Sequence, residues 1–373
     1  MKITLAKTER CELLTSYFYQ MTADPAVTEN MARAVIGIRE SRFGGSWVGT
    51  MTVGGVGTDV PYRRRGCVRA LLEDVLPRGR ELGAAVSLLH PFSFSFYRQF
   101  GYERVSDTVI ADFPIKALDF LPRYADLTLL TEADAPDMAA LYERCMAHVN
   151  ITFRRDTACF PVGGTRQVWL YRAPDGHLAG YITVEPQNHY DGVNRMDSDD
   201  LHVWEMVYED ADALRKLLSF LRMWDGELDT VRLHDIGLLP EVDLTLRHYM
   251  HTAYQIRPDI AARVMDTEAL LRANTYPVQH GTFTLRVEDS LPDVRGTFRV
   301  EYQDGVAEVV RADSELTETD LTVGPTALAR LLYGCDGADA RLAGYLPDTR
   351  LHTDAADFFR AFPKRVNGLF EHF

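Results

Sequence analysis

The stretch from Val53 to Tyr102 constrains the fold more than any other part of the chain. It opens as an apolar, glycine-interrupted strand, Val53-Gly-Gly-Val-Gly-Thr58, and runs into the basic turn Tyr62-Arg-Arg-Arg-Gly66. A helical pattern starts at once: Val68, Leu71, Leu72, Val75 and Leu76 fall at i, i+3, i+4, i+7 and i+8, one face of a helix. A helix that begins directly after a glycine turn presents unpaired backbone N–H groups, backed by the positive end of its dipole. With Arg63, Arg64 and Arg65 beside it, such a turn suits a pyrophosphate. The other reading of Arg-x-x-Gly taken alone is a solvated basic turn.

Two further elements follow. Ala84 to Leu89 reads as a second apolar strand, and Phe96 to Phe100 as a short helix that carries Tyr97 before a Gly101-Tyr102 exit. Strand, arginine-glycine turn, helix, strand and Tyr-x-x-Phe-Gly-Tyr together resemble the acyl-CoA core of GNAT-type N-acetyltransferases. The wording Tyr62-Arg-Arg-Arg-Gly66, His90-Pro-Phe92 and Phe96-Tyr-Arg-Gln-Phe-Gly-Tyr-Glu103 resembles more narrowly the enhanced intracellular survival (Eis) acetyltransferases.

That resemblance implies acetyl-CoA as co-substrate and no metal. Carried over residue by residue, Val56, Gly57 and Thr58 offer strand backbone to the acetyl and pantetheine ends. Arg64, Arg65, Gly66, Cys67, Val68 and Arg69 wrap the pyrophosphate, and Phe92 and Ser93 close the end of the second strand. Tyr97 stands where the family has its catalytic acid, and the terminal carboxylate that serves as base falls to Phe373. The family also implies a homohexamer and a small-molecule amine or a lysine as acceptor, aminoglycosides and polyamines included. This sequence departs from the pattern at Val60, where the family has proline and this chain has it one later, at Pro61. Thr58 stands where many relatives have valine. The region before the central strand is short of a helical stretch and a hairpin strand, which bears on the substrate-facing wall.

The chemistry of Tyr97 can be argued without the family. An amine that attacks a thioester expels a thiolate that must be protonated, and a phenol of pKa about 10 is matched to that task. From spacing alone, a core tyrosine on a short helix is the competing reading, and Tyr102 is the packing residue of the two.

At 373 residues the chain is too long for one ordinary core. Hydrophobic content of 46% and charged content of 25% describe a globular protein. No apolar run approaches the ~18 residues of a membrane span, and the N-terminus lacks a signal-peptide core, so the cytoplasm is the expected location. Five scattered cysteines without Cys-x-x-Cys spacing argue against a disulfide framework or a zinc site. A formal net charge of −14 makes nucleic acid a poor partner and attracts polycations, although it also serves solubility.

In chain order, Glu12 to Met21 is expected as a helix, Asn30 to Ile38 as another element, and Arg39 to Thr58 as a hairpin turning at Phe43-Gly-Gly-Ser-Trp47. Pro77 should kink or end the helix that begins near Cys67. From Leu127 the same order of elements returns, with a helix from Pro136, a hairpin of Val168–Tyr171 and Gly180–Val184, a strand Leu201–Tyr208 and a helix from Ala211. No arginine-glycine turn lies between that strand and helix. Thr282–Val287 and Thr297–Tyr302 alternate with period two, and a helix from Thr326 and an aromatic C-terminus follow. The expected fold class is α+β or α/β, and the Eis resemblance implies an N-terminal GNAT domain with the acetyl-CoA site (residues 1–118), a degenerate GNAT-like domain (119–268) and a sterol-carrier-protein-like domain (269–373).

Three further constellations carry less. His248 and His251 are three apart but have no acidic or third ligand beside them, so a metal site is not expected. Asp191 to Asp200 lacks the glycine and terminal glutamate of a calcium loop. Glu205, on a strand of the second domain, either lines an acidic substrate pocket or forms a salt bridge. The rival functions are transfer from another acyl-CoA, as in N-myristoyltransferases, and a non-catalytic lipid-binding or scaffold protein.

Overall fold

The computed structural model describes residues 2–11, 13–22, 30–187, 200–246, 249–312, 318–335 and 340–371. Residues 1–106, 149–154 and 259–373 form one unit, and residues 107–148 and 155–258 a second.

The first sheet of unit one begins with four antiparallel strands, β1 (Lys2–Cys11), β2 (Leu14–Thr22), β3 (Asn30–Phe43) and β4 (Ser46–Thr58). The helix expected from Glu12 to Met21 is not there: Glu12 lies outside the described residues, and from Leu14 the chain is strand. Thr15, Tyr17 and Phe18 are β-branched or aromatic, and each pairs residue for residue with β3, so strand partners on both sides override a weak local preference. Phe43-Gly44-Gly45-Ser46 turns as expected, with both glycines at positive φ.

β4 leads to α1 (Cys67–Glu81) and then to β5 (Val86–Leu89), which lies parallel to β4. The stripe of α1 is buried as its spacing requires, Leu71, Leu72, Val75 and Leu76 facing the sheet. Pro77 does not end the helix, which runs on to Glu81. One backbone bond is lost, but Gly79 sits so close to the sheet that a Cβ there would lie 2.4 Å from Met51 Sδ, and this packing carries the helix past the proline. Next come α2 (Phe94–Arg98) and β6 (Glu103–Arg104).

The chain then leaves this sheet earlier than the 118/119 boundary suggests. β7 (Asp107–Pro114) pairs with β12 (Thr230–Leu233) and β13 (Ala253–Pro258) in the sheet of unit two. Conversely, β14 (Ala261–Val264), placed before 268/269 and so expected in the second domain, inserts between β5 and β6 of the first sheet. The two crossings run side by side: Val105 N–H donates to Ile260 O at 2.9 Å, and Asp259 N–H to Ser106 O at 3.1 Å. Each backbone thereby satisfies the other where neither has a sheet neighbour.

Unit two completes its seven-stranded sheet with β8 (Thr128–Leu129), β9 (Gln167–Arg172), β10 (Leu178–Gln187) and β11 (Asp200–Tyr208). Its helices are α3 (Ala135–Cys145), α4 (Ala211–Leu221) and α5 (Pro240–Thr245). Glu205 resolves in favour of the salt bridge. Both its oxygens meet Arg155, at 2.6 and 3.2 Å, and one also accepts the Tyr181 hydroxyl. Of the residues from Asp191 to Asp200, only Asp200 is described, and it opens β11. His248 also lies outside the described residues.

The C-terminal part of unit one is a five-stranded sheet of β15 (Gly281–Val287), β16 (Gly296–Gln303), β17 (Val306–Arg311), β18 (Leu321–Val323) and β19 (Thr349–Leu351). Its helices are α6 (Thr267–Ala273), α7 (Pro325–Leu332), α8 (Ala340–Ala343) and α9 (Ala356–Ala361). The period-two pattern places Phe283, Leu285, Val287, Phe298, Val300 and Tyr302 in one core with Phe358 and Phe362. The chain is tied down nearly to its last described residue. Asn150 N–H donates to Val366 O at 2.9 Å, Gly368 N–H to Asn150 O at 3.1 Å, and Leu369 is buried. Among the described residues no helix is long and apolar enough to cross a membrane.

Candidate active site

β4 and β5 pair through only three residues, Thr50↔Val86 to Thr52↔Leu88. Beyond Thr52 the two strands part, so the β5-facing edge of Val53–Thr58 has no strand beside it. A bulge helps to turn that segment: its pairing with β3 shifts by one residue between Gly54 and Gly57, with Gly55 at φ +58°. Val56, Gly57 and Thr58, the residues expected to offer backbone, are half-buried along this open edge. An extended chain carrying amide groups can add to such an edge as a further strand does.

At the end of β4 the turn ends in Gly66, the N-cap of α1, at φ +77°. Glycine adopts this conformation freely, and it has no side chain with which to cap the helix. The first turn of α1 contains no acidic residue. Ala70 N–H donates to Gly66 O at 3.0 Å, while the N–H groups of Cys67, Val68 and Arg69 have no partner among the described residues. The nearby Asp59 is paired with Arg33 at 3.3 Å, so its charge does not oppose an anion. Arg64 and Arg65 are exposed beside the helix start, and Arg65 lies 5.8 Å from the Tyr62 ring. Three free N–H groups, a helix dipole and two guanidinium groups fit a pyrophosphate.

Arg69 differs from the expectation. Its guanidinium is taken by Gln99 Oε1 at 2.6 Å and lies 3.8 Å from Glu73, so only its backbone faces the anion position. An i,i+4 acid and a neighbouring amide hold the side chain against α1.

On the other strand, Ser93 caps α2, its Oγ accepting Phe96 N–H at 3.4 Å. Phe92 is exposed and rests on Phe96 and Tyr97, ring centroids 5.4 Å from both. Tyr97 is buried among Phe92, Phe96 and Tyr102, and its hydroxyl has no hydrogen-bond partner among the described residues. Burial pushes its pKa up to about 12. Tyr102 is the packing tyrosine, fully buried with its hydroxyl 2.7 Å from Ser87 Oγ.

The rest of the Phe96–Glu103 motif holds this tyrosine in place. Arg98 forms two bonds to the buried Glu103, at 2.7 and 2.8 Å. Gly101, at φ +81°, is needed twice, because a Cβ would also come within 2.6 Å of Arg263 Nε. Sequence reasoning missed one pair at the end of β5: His90 Nδ1 lies 2.8 Å from Asp259 Oδ1. The two are 169 positions apart, so no spacing signal could join them. Phe373 lies outside the described residues.

With this geometry in hand, three domain families match the chain. Acetyltransferase (GNAT) domains match residues 31–105 and 148–264, and a sterol carrier protein domain matches residues 267–365. No curated protein matches the sequence at a significant level. Among solved structures, a GCN5-related N-acetyltransferase from Kribbella flavida is 22% identical with a TM-score of 0.77, covering 95% of this chain and 87% of that one. A conserved protein of unknown function from Enterococcus faecalis V583 is 19% identical with a TM-score of 0.77, over 96% and 89%. Eis1 from Mycobacterium abscessus is 22% identical with a TM-score of 0.74, over 95% and 90%.

The chain is therefore an acetyltransferase of the GNAT class, with two GNAT domains followed by a sterol carrier protein domain. Its fold matches that of Eis1 over nearly the whole chain.

Proposed function

We propose that the chain transfers the acetyl group of acetyl-CoA to a primary amine, of the aminoglycoside, polyamine or lysine type. The observation that carries this reading is the uncapped start of α1 at the parting of β4 and β5, where N–H groups, arginines and an open strand edge converge. The amine nitrogen attacks the thioester carbonyl, a C–N bond forms, the C–S bond breaks, and the departing thiolate takes the phenolic proton of Tyr97. A phenol of pKa about 12 suits this only if the thiolate is desolvated to a similar degree.

The reading is tested by free-CoA release over a panel of aminoglycoside, polyamine and lysine acceptors, with acetyl-CoA and myristoyl-CoA as donors. Release is expected with acetyl-CoA and at least one amine. Release with myristoyl-CoA alone, or with no donor, would overturn it. In the same assay Arg64→Ala with Arg65→Ala is expected to raise KM for acetyl-CoA by about 10–100-fold with little change in kcat, as charge-assisted contacts to phosphate are lost. Unchanged KM would leave the turn a surface loop.

For the base we keep the α-carboxylate of Phe373, as the Eis resemblance implies. Two observations support it: unit one ties down the chain as far as Leu369, and the Glu205 carboxylate is taken by Arg155 and Tyr181. A carboxylate of pKa about 3.5 is a weak base and must act by position. Extending the chain beyond Phe373 turns that carboxylate into an amide and should abolish transfer, whereas Phe373→Ala should retain it. If the extended chain is as active as the original, the base lies elsewhere, and His90 with Asp259 is the next pair to substitute.

A further inference from the structure

Unit two repeats the strand-and-helix geometry of the acetyl-CoA site but reverses its charge. β11 and β12 pair in parallel from Asp200↔Thr230 to Val203↔Leu233 and then part, as β4 and β5 do. β11 runs on to Tyr208, and after only Glu209 and Asp210 the chain enters α4. At this parting lies an open cavity of about 840 Å³, within the range of small-molecule sites. Met206, Leu214, Leu238 and Leu239 are buried side chains in its wall, and Leu244 stands at it 77% exposed.

The helix start that would hold an anion is closed to one. Asp210 caps α4, its carboxylate accepting Asp212 N–H at 2.9 Å and Ala213 N–H at 2.8 Å. Those are the groups left free at Cys67–Arg69 in the first domain. Glu209, Asp210 and Glu241 also line the cavity, against one guanidinium, that of Arg144. Arg144 is already paired with Glu209 at 2.9 Å. Tyr208 donates its hydroxyl to Glu241 Oε2 at 2.8 Å, while Glu241 Oε1 has no partner among the described residues. A pyrophosphate would meet three carboxylates against the Arg144 guanidinium and the His148 imidazole, whereas a cation with an apolar body meets the open Glu241 oxygen beside an apolar wall.

We propose that this cavity is a second ligand site, taking an organic cation with an aliphatic or arylalkyl body. The ammonium group sits against Glu241, and the hydrocarbon covers Met206, Leu238 and Leu239. Coenzyme A is excluded by charge, so one chain binds one acetyl-CoA.

The test is a calorimetric titration of the full chain with 4-phenylbutyl-trimethylammonium, a probe that cannot be acetylated, and with 4-phenylbutyrate as its anionic counterpart. The cation is expected to bind and the anion not. Glu241→Gln, a change at an exposed position, should weaken the cation by roughly tenfold through loss of the ion pair with the quaternary nitrogen. Glu241→Lys should admit the anion instead, and Leu239→Trp should block both by filling the cavity. Thermal unfolding of each variant separates loss of the site from loss of the fold. Acetyl transfer by Glu241→Gln should match that of the unaltered chain, which keeps this outcome independent of the proposed catalysis. No cation binding, cation binding indifferent to Glu241→Gln, or two acetyl-CoA molecules bound per chain would each overturn the proposal.

Discussion

Replacing Tyr97 by phenylalanine is expected to lower kcat by about 10²–10⁴-fold while leaving the affinity for acetyl-CoA unchanged. The substitution is clean for a structural reason. The Tyr97 ring is held by Phe92, Phe96 and Tyr102 at centroid distances of 5.4, 5.2 and 5.9 Å, and phenylalanine keeps all three contacts. The hydroxyl has no partner among the described residues, so its removal strands no donor or acceptor. Unfolding of the variant should therefore match that of the unaltered chain, and lost turnover reports the missing proton. The sign of the pH dependence follows from the same burial. An acid works only while protonated, and a pKa raised to about 12 keeps Tyr97 protonated across the usable range. The kcat profile should then show no fall from Tyr97 as pH rises to 10. A descending limb near pH 9 that disappears in Tyr97→Phe would mean that the phenol is not desolvated as the structure has it. Normal turnover by the variant would refute the acid role.

The largest expected effect on stability lies at Asp289. Arg263 on β14 and Asp289 after β15 join the first sheet of unit one to its C-terminal sheet by two bonds, at 2.7 and 2.6 Å, with side-chain exposures of 3% and 0%. A charge taken this far from water is tolerated only with its partner. Asp289→Ala leaves the guanidinium buried and uncompensated and should cost about 3–5 kcal/mol, read from denaturant midpoints of the full chain. Gly101 packs against the same guanidinium, which leaves it little room to swing outward. The double variant Arg263→Met with Asp289→Leu should recover most of the loss, because hydrophobic replacement of a buried pair is often neutral. A single variant that loses less than about 1 kcal/mol would mean that the pair is solvated, as exposed salt bridges are.

The two expectations draw on different kinds of information. Tyr97 is visible in the sequence, since a short helix, a glycine and a following tyrosine lie within six residues. The stripe of α1, the uncapped Gly66 and the alternation of β15 and β16 are equally local. Each depends on side-chain periods of 3.6 or 2, or on the φ that glycine alone adopts freely, and so each was fixed by neighbours in the chain. These features pointed to the three-domain class and to the place proposed here for acetyl-CoA.

What the tertiary structure decided has no local signal. β2 is a strand because β1 and β3 flank it, although its own residues were compatible with a helix. β14 leaves the domain its position suggests because β5 and β6 offer it two open edges. The guanidinium of Arg69 turns away from the anion position because Gln99, thirty residues on, captures it. His90 meets Asp259, and Arg263 meets Asp289, only once the sheet has brought them together. Hydrogen bonds and ion pairs act at about 3 Å, whereas the chain separation between partners is set by topology; no periodicity in the sequence encodes which distant groups will be brought within that reach.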